Sequence, residues 1–317
     1  MQQLVFYDSH IWELLSTELL TTNYRDINKY KLQLVTQDDT EPVYVYVFIT
    51  HLKSSPGLSN RLIRLEMVEA LTAHLQYIEP DAFVVFSGDF NLYSSDEEAY
   101  QELLDEENNI VFIDPIDSLG NWHENEAFSY LHTQSTRLSN VGFGTGASGG
   151  MDDRFDFIML SENLFEGSPN LQYVNDSYIA YGNNGNCYKK DINDPSCSGE
   201  FSQQTRDWLY LMSDHLPVVL ELETNRVLQT QTVHSTSPTP YLIHNPVGDN
   251  LRIYIPETSN SNSFKVEIFN AIGTSLVEKQ IHPTENQLTI PVEHFASGLY
   301  FVRLSNFPQQ TLKFIKK

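Results

Sequence analysis

The alternation of apolar and polar residues predicts strands throughout the first part of the chain. Alternating segments and continuous apolar runs place strands at 3–8, 11–20, 32–35, 43–52 and 82–87. The first two segments flank Asp8-Ser9, which predicts a hairpin. An apolar stripe at spacings of three and four predicts a core-packing helix from about Ser59 to Tyr77. The acidic segment Asp96–Glu107 predicts a second helix with a solvated face, and Ser95 and Glu98 are placed for a capping box.

A carboxylate and an amide follow the most apolar of these strands. The run Ala82–Ser87 is typical of a strand buried on both faces, and it leads directly into Gly88-Asp89-Phe90-Asn91. Glycine allows a sharp turn, and Asp89 and Asn91 project to the same side of a chain that is still extended. The pair suits a phosphate and a hard cation, although an Asx-rich turn that merely closes a strand fits the same four residues.

Further polar side chains occur at comparable positions in other strands. His51 ends the strand at 43–52, Asp156 lies inside the apolar strand predicted within 151–161, and Asp214-His215 opens the strand within 212–222. A carboxylate buried in a strand needs a partner, because burying it unpaired is expensive. An aspartate that accepts from a histidine ring fixes its tautomer and raises its basicity, so we expect Asp156 to pair with the second histidine. Taken alone, His51 is more typical of a satisfied structural histidine that ends a strand than of a catalytic one.

The charge of the chain is uneven. The 317 residues carry a formal charge of -23, and residues 1–240 hold 12 Lys+Arg against 36 Asp+Glu. An acidic surface repels phosphate backbones, which disfavours a simple basic-groove nucleic-acid binder, but a bound divalent cation can reverse the sign locally. Hydrophobic residues make up 40% of the chain, and no apolar run is long enough to span a membrane. These features predict a soluble folded protein.

Two loops and the N-terminus complete the picture. The segment 118–150 is polar and glycine-rich and lacks a phosphate-loop lysine, so we expect a plain flexible loop there. Cys187 and Cys197 lie in the second polar loop, 181–207, and their spacing fits a small disulfide of an exported protein as well as it fits two free thiols. The start at Met1 shows no charged region followed by an apolar one, so the sequence itself reveals no signal peptide.

With these segments in place, the chain resembles the endonuclease/exonuclease/phosphatase superfamily, the metal-dependent phosphodiesterases related to deoxyribonuclease I. The resemblance rests on His51 in Thr-His-Leu, Asp89 and Asn91 in Gly-Asp-Phe-Asn, Asp156 in Arg-Phe-Asp-Phe-Ile, and Asp214-His215 in Ser-Asp-His-Leu-Pro-Val. It covers residues 1 to about 224 and implies an α/β fold, a four-layer α/β sandwich (deoxyribonuclease I-like) in which two β-sheets pack face to face with helices outside.

The resemblance also implies catalytic roles. Asp89 would orient or deprotonate the attacking water, and Asn91 would hold the phosphate and fix the aspartate. His51 and His215 would stabilise charge on the phosphate and assist proton transfer, while Asp156 would orient His215. A phosphodiester attacked by water needs its growing charge neutralised, which agrees with these assignments.

The implied cofactor is Mg²⁺, or Mn²⁺ or Ca²⁺, since oxygen ligands suit these hard ions. Asp214 and Asp89 are the candidate ligands. The family places an asparagine on its first strand and a metal-binding glutamate soon after it, and nothing in residues 1–10 matches either. We therefore expect an N-terminal segment, including the leader, to be missing from this sequence, and the activity of this chain to depend on it.

The tail has a different pattern. Residues 225–240 are polar and end in a Ser/Thr/Pro cluster, which predicts a linker. Beyond it, short apolar segments spaced by about ten residues predict a small all-β sandwich, immunoglobulin-like, over residues 241–317. Its strands are expected at 251–256, 264–270, 275–281, 288–290, 299–304 and 312–315.

This tail resembles the type A C-terminal sorting domain of the type IX secretion system. The resemblance rests on Asn245-Pro246-Val247, Val266–Gly273, Ala296–Val302 and the basic end Lys313–Lys317. It implies export across the outer membrane of a Bacteroidetes-type bacterium by the type IX machinery. It also favours a disulfide between Cys187 and Cys197.

Together, these resemblances predict a secreted or cell-surface monomer that hydrolyses phosphodiester bonds, with nucleic acid as the expected substrate and extracellular endonuclease as the expected activity. Two alternatives stay open. A phosphatase or phospholipase of the inositol phosphate or sphingomyelin type is compatible with the acidic surface. A catalytically inactive surface binding module that keeps the fold is the alternative from outside the enzymes.

Overall fold

The computed structural model describes residues 3–38, 40–165, 170–229, 240–255, 263–271, 273–281, 286–305, 307 and 311–317. The chain divides into two units, Met1–Thr230 and Gln231–Lys317. Most of the predicted linker, from residue 230 to residue 239, lies outside the described residues. The domain limits inferred from the sequence, at 224 and 241, therefore stay predictions.

A six-stranded mixed sheet forms the centre of the first unit. Its strands are β1 (Trp12–Leu20), β2 (Ile27–Leu34), β3 (Tyr44–His51), β4 (Phe83–Asp89), β5 (Phe112–Ile113) and β6 (Asp156–Ser161). Their order in the sheet is β1-β2-β3-β4-β6-β5. Only the β3–β4 pairing is parallel, and the other neighbours are antiparallel. The expected α/β class with a large central sheet is confirmed.

Helix α1 (Leu58–Leu75) makes the parallel pairing possible by connecting β3 to β4. Its apolar stripe buries Met67, Val68, Leu71 and Leu75 against the sheet. Such a crossover brings the carboxyl ends of both strands to the same edge of the sheet. The polar residues that end β3 and β4 are therefore neighbours. A short helix, α2 (Glu98–Leu103), contributes to the same core.

The opposite face of the sheet packs on shorter strand pairs. A ladder joins β7 (Gln172–Tyr173) to β10 (Leu222–Glu223), and another joins β8 (Ile179–Ala180) to β9 (Val218–Val219). Side chains from these pairs and from the sheet form a second core cluster. A third helix, α3 (Gln203–Met212), precedes Ser213-Asp214-His215 and packs Leu209 into a smaller cluster. Among the described residues, these two ladders are separate two-stranded sheets.

Two local predictions were wrong. Residues 3–8 form no strand, and β1 pairs instead with β2, through a turn in which the Thr22 hydroxyl donates to the Arg25 carbonyl. The second helix is shorter than the acidic segment, and Ser95 does not cap it. The Ser95 hydroxyl accepts from the Gly120 N–H at 2.9 Å, while the helix begins after Glu97.

The second unit is a β-sandwich with its own core. One sheet has the order β11-β12-β15 and the other β14-β13-β16-β17. The strands are β11 (Tyr241–Leu242), β12 (Asn250–Tyr254), β13 (Phe264–Asn270), β14 (Ser275–Ile281), β15 (Gln287–Pro291), β16 (Gly298–Leu304) and β17 (Thr311–Lys316). Alternating residues of both sheets fill the core between them. All six strands predicted from the sequence are present.

Candidate active site

Three candidate residues lie side by side at one edge of the central sheet. His51 pairs with Asp89 across β3 and β4, and Asp89 pairs with Asp156 across β4 and β6. Neighbouring strands are about 5 Å apart, so residues far apart in sequence form one polar row. The row exists because two parallel strands end together and the antiparallel β6 begins at the same level.

Gly88 allows the close approach of β3 and β4 immediately before this row. Its φ is 144°, and a Cβ at this position would lie 1.9 Å from the carbonyl oxygen of Thr50. No side chain fits at that distance. The glycine of the Gly-Asp-Phe-Asn motif therefore has a specific steric role, because it lets Asp89 reach the edge beside His51.

Asp89 is a carboxyl group with a strongly perturbed acidity. Burial, followed by the charge of Asp156, raises its pKa to about 7. The Asn91 N–H donates to Asp89 Oδ1 at 3.1 Å, and Asn91 itself adopts a left-handed conformation with φ 51°. The Asn91 side-chain amide donates to the Leu52 carbonyl at 3.4 Å. The turn thus fixes the carboxyl group and holds the asparagine against the end of β3.

His51 faces Asp89 as a neutral imidazole. Its Nε2 lies 3.3 Å from Asp89 Oδ2, a distance that fits an ion pair as well as a long hydrogen bond. Burial, followed by the charge of Arg25, lowers the pKa of His51 to about 4. The contact at neutral pH therefore joins a neutral imidazole to the carboxyl group and is not an ion pair.

His215 and Asp156 form a tightly held pair. His215 Nδ1 lies 2.7 Å from Asp156 Oδ2. Burial alone would lower the pKa of His215, but the hydrogen bond to Asp156 and its charge raise the pKa to about 9. His215 is thus protonated at neutral pH. The Thr133 hydroxyl accepts from the backbone N–H groups of Phe155 and Asp156, which fixes the start of β6.

Asp214 is held by the glycine-rich loop. The Ala147 N–H donates to Asp214 Oδ2 at 2.5 Å, and a Cβ on Gly146 would lie 3.0 Å from the same oxygen. The Asp214 carbonyl accepts from the Thr136 N–H at 3.0 Å. The segment 142–150 is therefore more than a plain flexible loop, because it contacts a candidate site residue.

The metal assignment finds only partial support in this geometry. Asp89 and Asp214 offer the carboxylate oxygens that Mg²⁺ prefers. Within the residues that the structure describes, no three or more His, Cys, Asp or Glu side chains come together to hold a metal ion. The donor set is thus incomplete for a closed site, and the two aspartates stay candidate ligands.

Sequence reasoning missed two groups that support the site. The side-chain amide of Gln134 contacts His215 Nε2, and no local pattern marked this glutamine. Arg154 is buried and forms two hydrogen bonds of 2.8 Å with the carboxylate of Asp114. The sequence contained a signal for this pair, because an arginine next to Phe155-Asp156 in an apolar segment requires a buried counter-charge.

The cysteines are paired beside the site. Cys187 and Cys197 form a disulfide and are buried in one cluster with Leu209 and Leu216. Leu216 directly follows His215. The disulfide favoured by the sequence is confirmed, and it stabilises the loop that packs against the segment carrying Asp214 and His215.

Residues 244–317 match a family model described as a secretion system C-terminal sorting domain. A tail of this kind indicates a secreted or cell-surface protein of a Bacteroidetes-type bacterium, exported by the type IX machinery. Among the described residues, no helix has the length and apolar character needed to cross a bilayer. The export expected from the sequence is confirmed.

Three solved structures with a partial likeness to this chain are each less than 20% identical to it. D. rerio TDP2, crystallised with a single-strand DNA product, is 17% identical over 68% of this chain and 69% of its own, with a TM-score of 0.40. An endonuclease/exonuclease/phosphatase from Bacteroides vulgatus is 15% identical over 69% of each chain, with a TM-score of 0.38. The human Nocturnin catalytic domain is 16% identical over 68% of this chain and 61% of its own, with a TM-score of 0.36. No curated protein has significant sequence similarity to the chain.

Proposed function

We propose that the chain is a secreted, metal-dependent phosphodiesterase, and specifically an extracellular endonuclease that hydrolyses the phosphodiester bonds of nucleic acid. One observation carries the proposal: the register of β3, β4 and β6 aligns His51, Asp89 and Asp156, and Asp156 holds His215. This arrangement combines a carboxyl group near neutrality, a charged imidazole and a neutral imidazole. Phosphoryl transfer to water uses groups of these kinds.

Asp89 has the acidity expected of a general base. With a pKa of about 7, it exchanges its proton close to neutral pH, which suits removal of a proton from an attacking water. The Asn91 N–H and the His51 imidazole hold the carboxyl group in one orientation. In this proposal Asn91 also contacts the phosphate, and neutral His51 helps to orient the water.

His215 supplies positive charge for the phosphate. Asp156 accepts from Nδ1–H, and the other ring nitrogen, Nε2, faces the side-chain amide of Gln134. A protonated imidazole in this position would stabilise the negative charge that develops on the phosphoryl oxygens. Asp156 acts through His215 as a positioning residue.

A divalent cation, Mg²⁺ or else Mn²⁺ or Ca²⁺, would supply further neutralisation of the phosphate when bound. Asp214 and Asp89 are the residues of this chain that would hold it, through their carboxylate oxygens. Asp214 is already fixed by the Ala147 N–H, so its second oxygen is the one available to an ion.

A second candidate is a phosphatase or phospholipase that acts on inositol phosphates or sphingomyelin. The formal charge of residues 1–240, with 12 Lys+Arg against 36 Asp+Glu, favours it. Such a surface repels a long polyanion more than it repels a small or zwitterionic phosphoester.

Cleavage of supercoiled plasmid DNA by the full chain tests the proposal. The protein is assayed with Mg²⁺, with Mn²⁺ and with EDTA, beside His215→Ala and Asp156→Asn. The matched control is His10→Ala, because His10 Nδ1 also pairs with an aspartate, Asp8, at 2.8 Å, but on the exposed surface. We expect a metal-dependent cut that each site variant slows by about 10² to 10³ and the control leaves unchanged.

Failure to cut DNA or RNA with either metal would remove the endonuclease assignment. Sphingomyelin and inositol phosphates would then be tested with the same variants. If those esters are also untouched, the inactive binding module becomes the better description.

A further inference from the structure

A second histidine–aspartate pair lies outside the residues assigned to the reaction. His123 Nδ1 is 2.6 Å from Asp153 Oδ1. The Asp153 side chain is 13% exposed, whereas that of His123 is 39% exposed. The aspartate is thus part of the protein interior and the imidazole is at the surface. Because Nδ1 is used by Asp153, Nε2 is the nitrogen that a ligand can reach.

Gln134 connects this pair to the catalytic dyad. Gln134 forms antiparallel bridges to Asp153 on one side and to His215 on the other. Residues directly opposite each other in such a ladder carry their side chains on the same face. The contact between the Gln134 amide and His215 Nε2 agrees with this rule. The two dyads therefore share one face, with Asp153 about 10 Å from His215 across two strand spacings.

Tyr93 contacts the second pair through His123. Its carbonyl accepts from the His123 N–H at 3.2 Å, and the two rings meet edge to face with centroids 4.9 Å apart. The ring of Tyr93 also packs edge to face on Phe155, with centroids 5.0 Å apart, and the Arg64 guanidinium lies 5.4 Å from its centroid. Burial, then the charge of Asp153 and, more weakly, that of Asp89, raise the pKa of Tyr93 to about 12. Tyr93 is therefore within electrostatic range of both sites.

The charges around His123 are partly compensated. Lys189 Nζ lies 3.0 Å from Glu124 Oε1, so the acidic residue next to His123 carries its own partner. The carboxyl group of Asp153 is in contact with the His123 ring itself. Asp152 is the remaining carboxylate nearby, and burial, opposed by the charge of Lys189, raises its pKa. A phosphate oxygen that approaches the exposed imidazole therefore passes one carboxyl group, that of Asp152, whose raised pKa reduces its negative charge.

We propose that His123, held by Asp153 and Tyr93, is a binding residue for the nucleotide next to the scissile phosphate, with Nε2–H donating to the sugar–phosphate backbone. The backbones of Asp153 and His215 lie two strand spacings apart, about 10 Å, so the second dyad suits the next position along a strand better than the scissile phosphate itself. The inference rests on the proposed function, because it assigns a polymeric substrate to the same site.

The test compares two substrates of the full chain. One is a single-stranded oligothymidylate, which has flanking nucleotides, and the other is bis(p-nitrophenyl) phosphate, a diester without them. We expect His123→Ala and Asp153→Asn to lower kcat/KM for the oligonucleotide about 10- to 100-fold more than for the small diester. His10→Ala is the matched control and should leave both values unchanged.

A binding measurement in EDTA supplies a readout that needs no turnover. Fluorescence anisotropy with a labelled oligothymidylate should show weaker binding by His123→Ala than by the wild type. Unfolding followed by tryptophan fluorescence, which includes the adjacent Trp122, checks that the variants fold.

Each other outcome rejects the inference. Equal losses on both substrates would make His123 a support of the catalytic centre, and unchanged oligonucleotide binding and cleavage would leave it a surface residue. Hydrolysis of the small diester without any cleavage of the oligonucleotide would reject the endonuclease assignment itself. That result differs from a failure of this inference alone, in which the wild type cleaves the oligonucleotide and His123→Ala cleaves it equally well.

Discussion

The buried ion pair behind the active site supports a quantitative prediction. Arg154 donates from both terminal nitrogens to Asp114 at 2.8 Å, and the side chains are 1% and 2% exposed. The guanidinium also packs 4.1 Å above the ring of Phe157. Tyr100 donates a further hydrogen bond to Asp114 Oδ2 at 3.0 Å. Asp114→Asn keeps the shape of this network and removes its negative charge.

The expected cost follows from the burial of Arg154. Burial opposes its charge and Asp114 raises the pKa of the guanidinium above its usual range. Arginine is effectively always protonated in proteins, so Arg154 stays charged after the substitution. Removing one partner of a buried pair costs about 3 to 5 kcal/mol, because the other charge is left uncompensated. That loss is a large part of the stability of a typical domain, which is about 5 to 15 kcal/mol.

Urea unfolding of the full chain measures this cost. Trp12, Trp122 and Trp208 all belong to the first unit, so tryptophan fluorescence reports that unit separately from the tail. We expect the midpoint for Asp114→Asn to fall by more than about 1 M urea. The matched control is Glu98→Gln at the exposed pair with Arg61.

A small effect would refute the reasoning. If Asp114→Asn shifts the midpoint no more than Glu98→Gln does, the Arg154 charge must be solvated in the variant. The loss of Asp114 would then not leave a buried charge uncompensated. The double variant Asp114→Leu with Arg154→Met provides a further check. It should recover much of the lost stability, because no unpaired charge is left buried.

Three further predictions concern stability. Gly88→Ala should cost about 3 kcal/mol or more and abolish activity, because its Cβ would lie 1.9 Å from the Thr50 carbonyl oxygen; calorimetry and plasmid cleavage check this. Burial lowers the pKa of His132 from 6.5, so the stability it contributes is present above pH 6.5 and is lost as the pH falls through the folded pKa. The wild type should therefore have a lower urea midpoint at pH 5.5 than at pH 7.5, pH values roughly one unit on either side of 6.5. This difference between the two midpoints should shrink in His132→Gln. Replacing Cys187 and Cys197 by serine should cost about 3 kcal/mol, measured against the wild type with and without reductant.

The sequence by itself determined the elements that carry the candidate site. The apolar runs before His51 and Asp89 predict strands that the structure has as β3 and β4, and the stripe between them predicts α1. These signals are local, since period and apolar content belong to a few neighbouring residues. The strands of the tail were readable for the same reason, because each alternates regularly between turns.

Local signals failed where pairing partners had to be chosen. The segment 3–8 alternates like a strand but forms none, and β1 pairs with β2. Alternation shows that a segment can enter a sheet, but it does not identify a neighbour. The second helix is shortened for the same reason. The side chain of Glu97, the residue before the helix, forms an ion pair of 2.7 Å with buried Arg64, a partner that is distant in sequence.

Only the tertiary structure decided which polar residues meet and how they are charged. Strand register aligns Asp89 with Asp156, and folding brings His215 to a partner 59 positions away in the chain. Burial then raises the pKa of Asp89, an effect that depends on surrounding atoms and not on neighbours in sequence. The second dyad of His123 and Asp153 had no sequence signal for the same reason: the two residues become neighbours only through the fold.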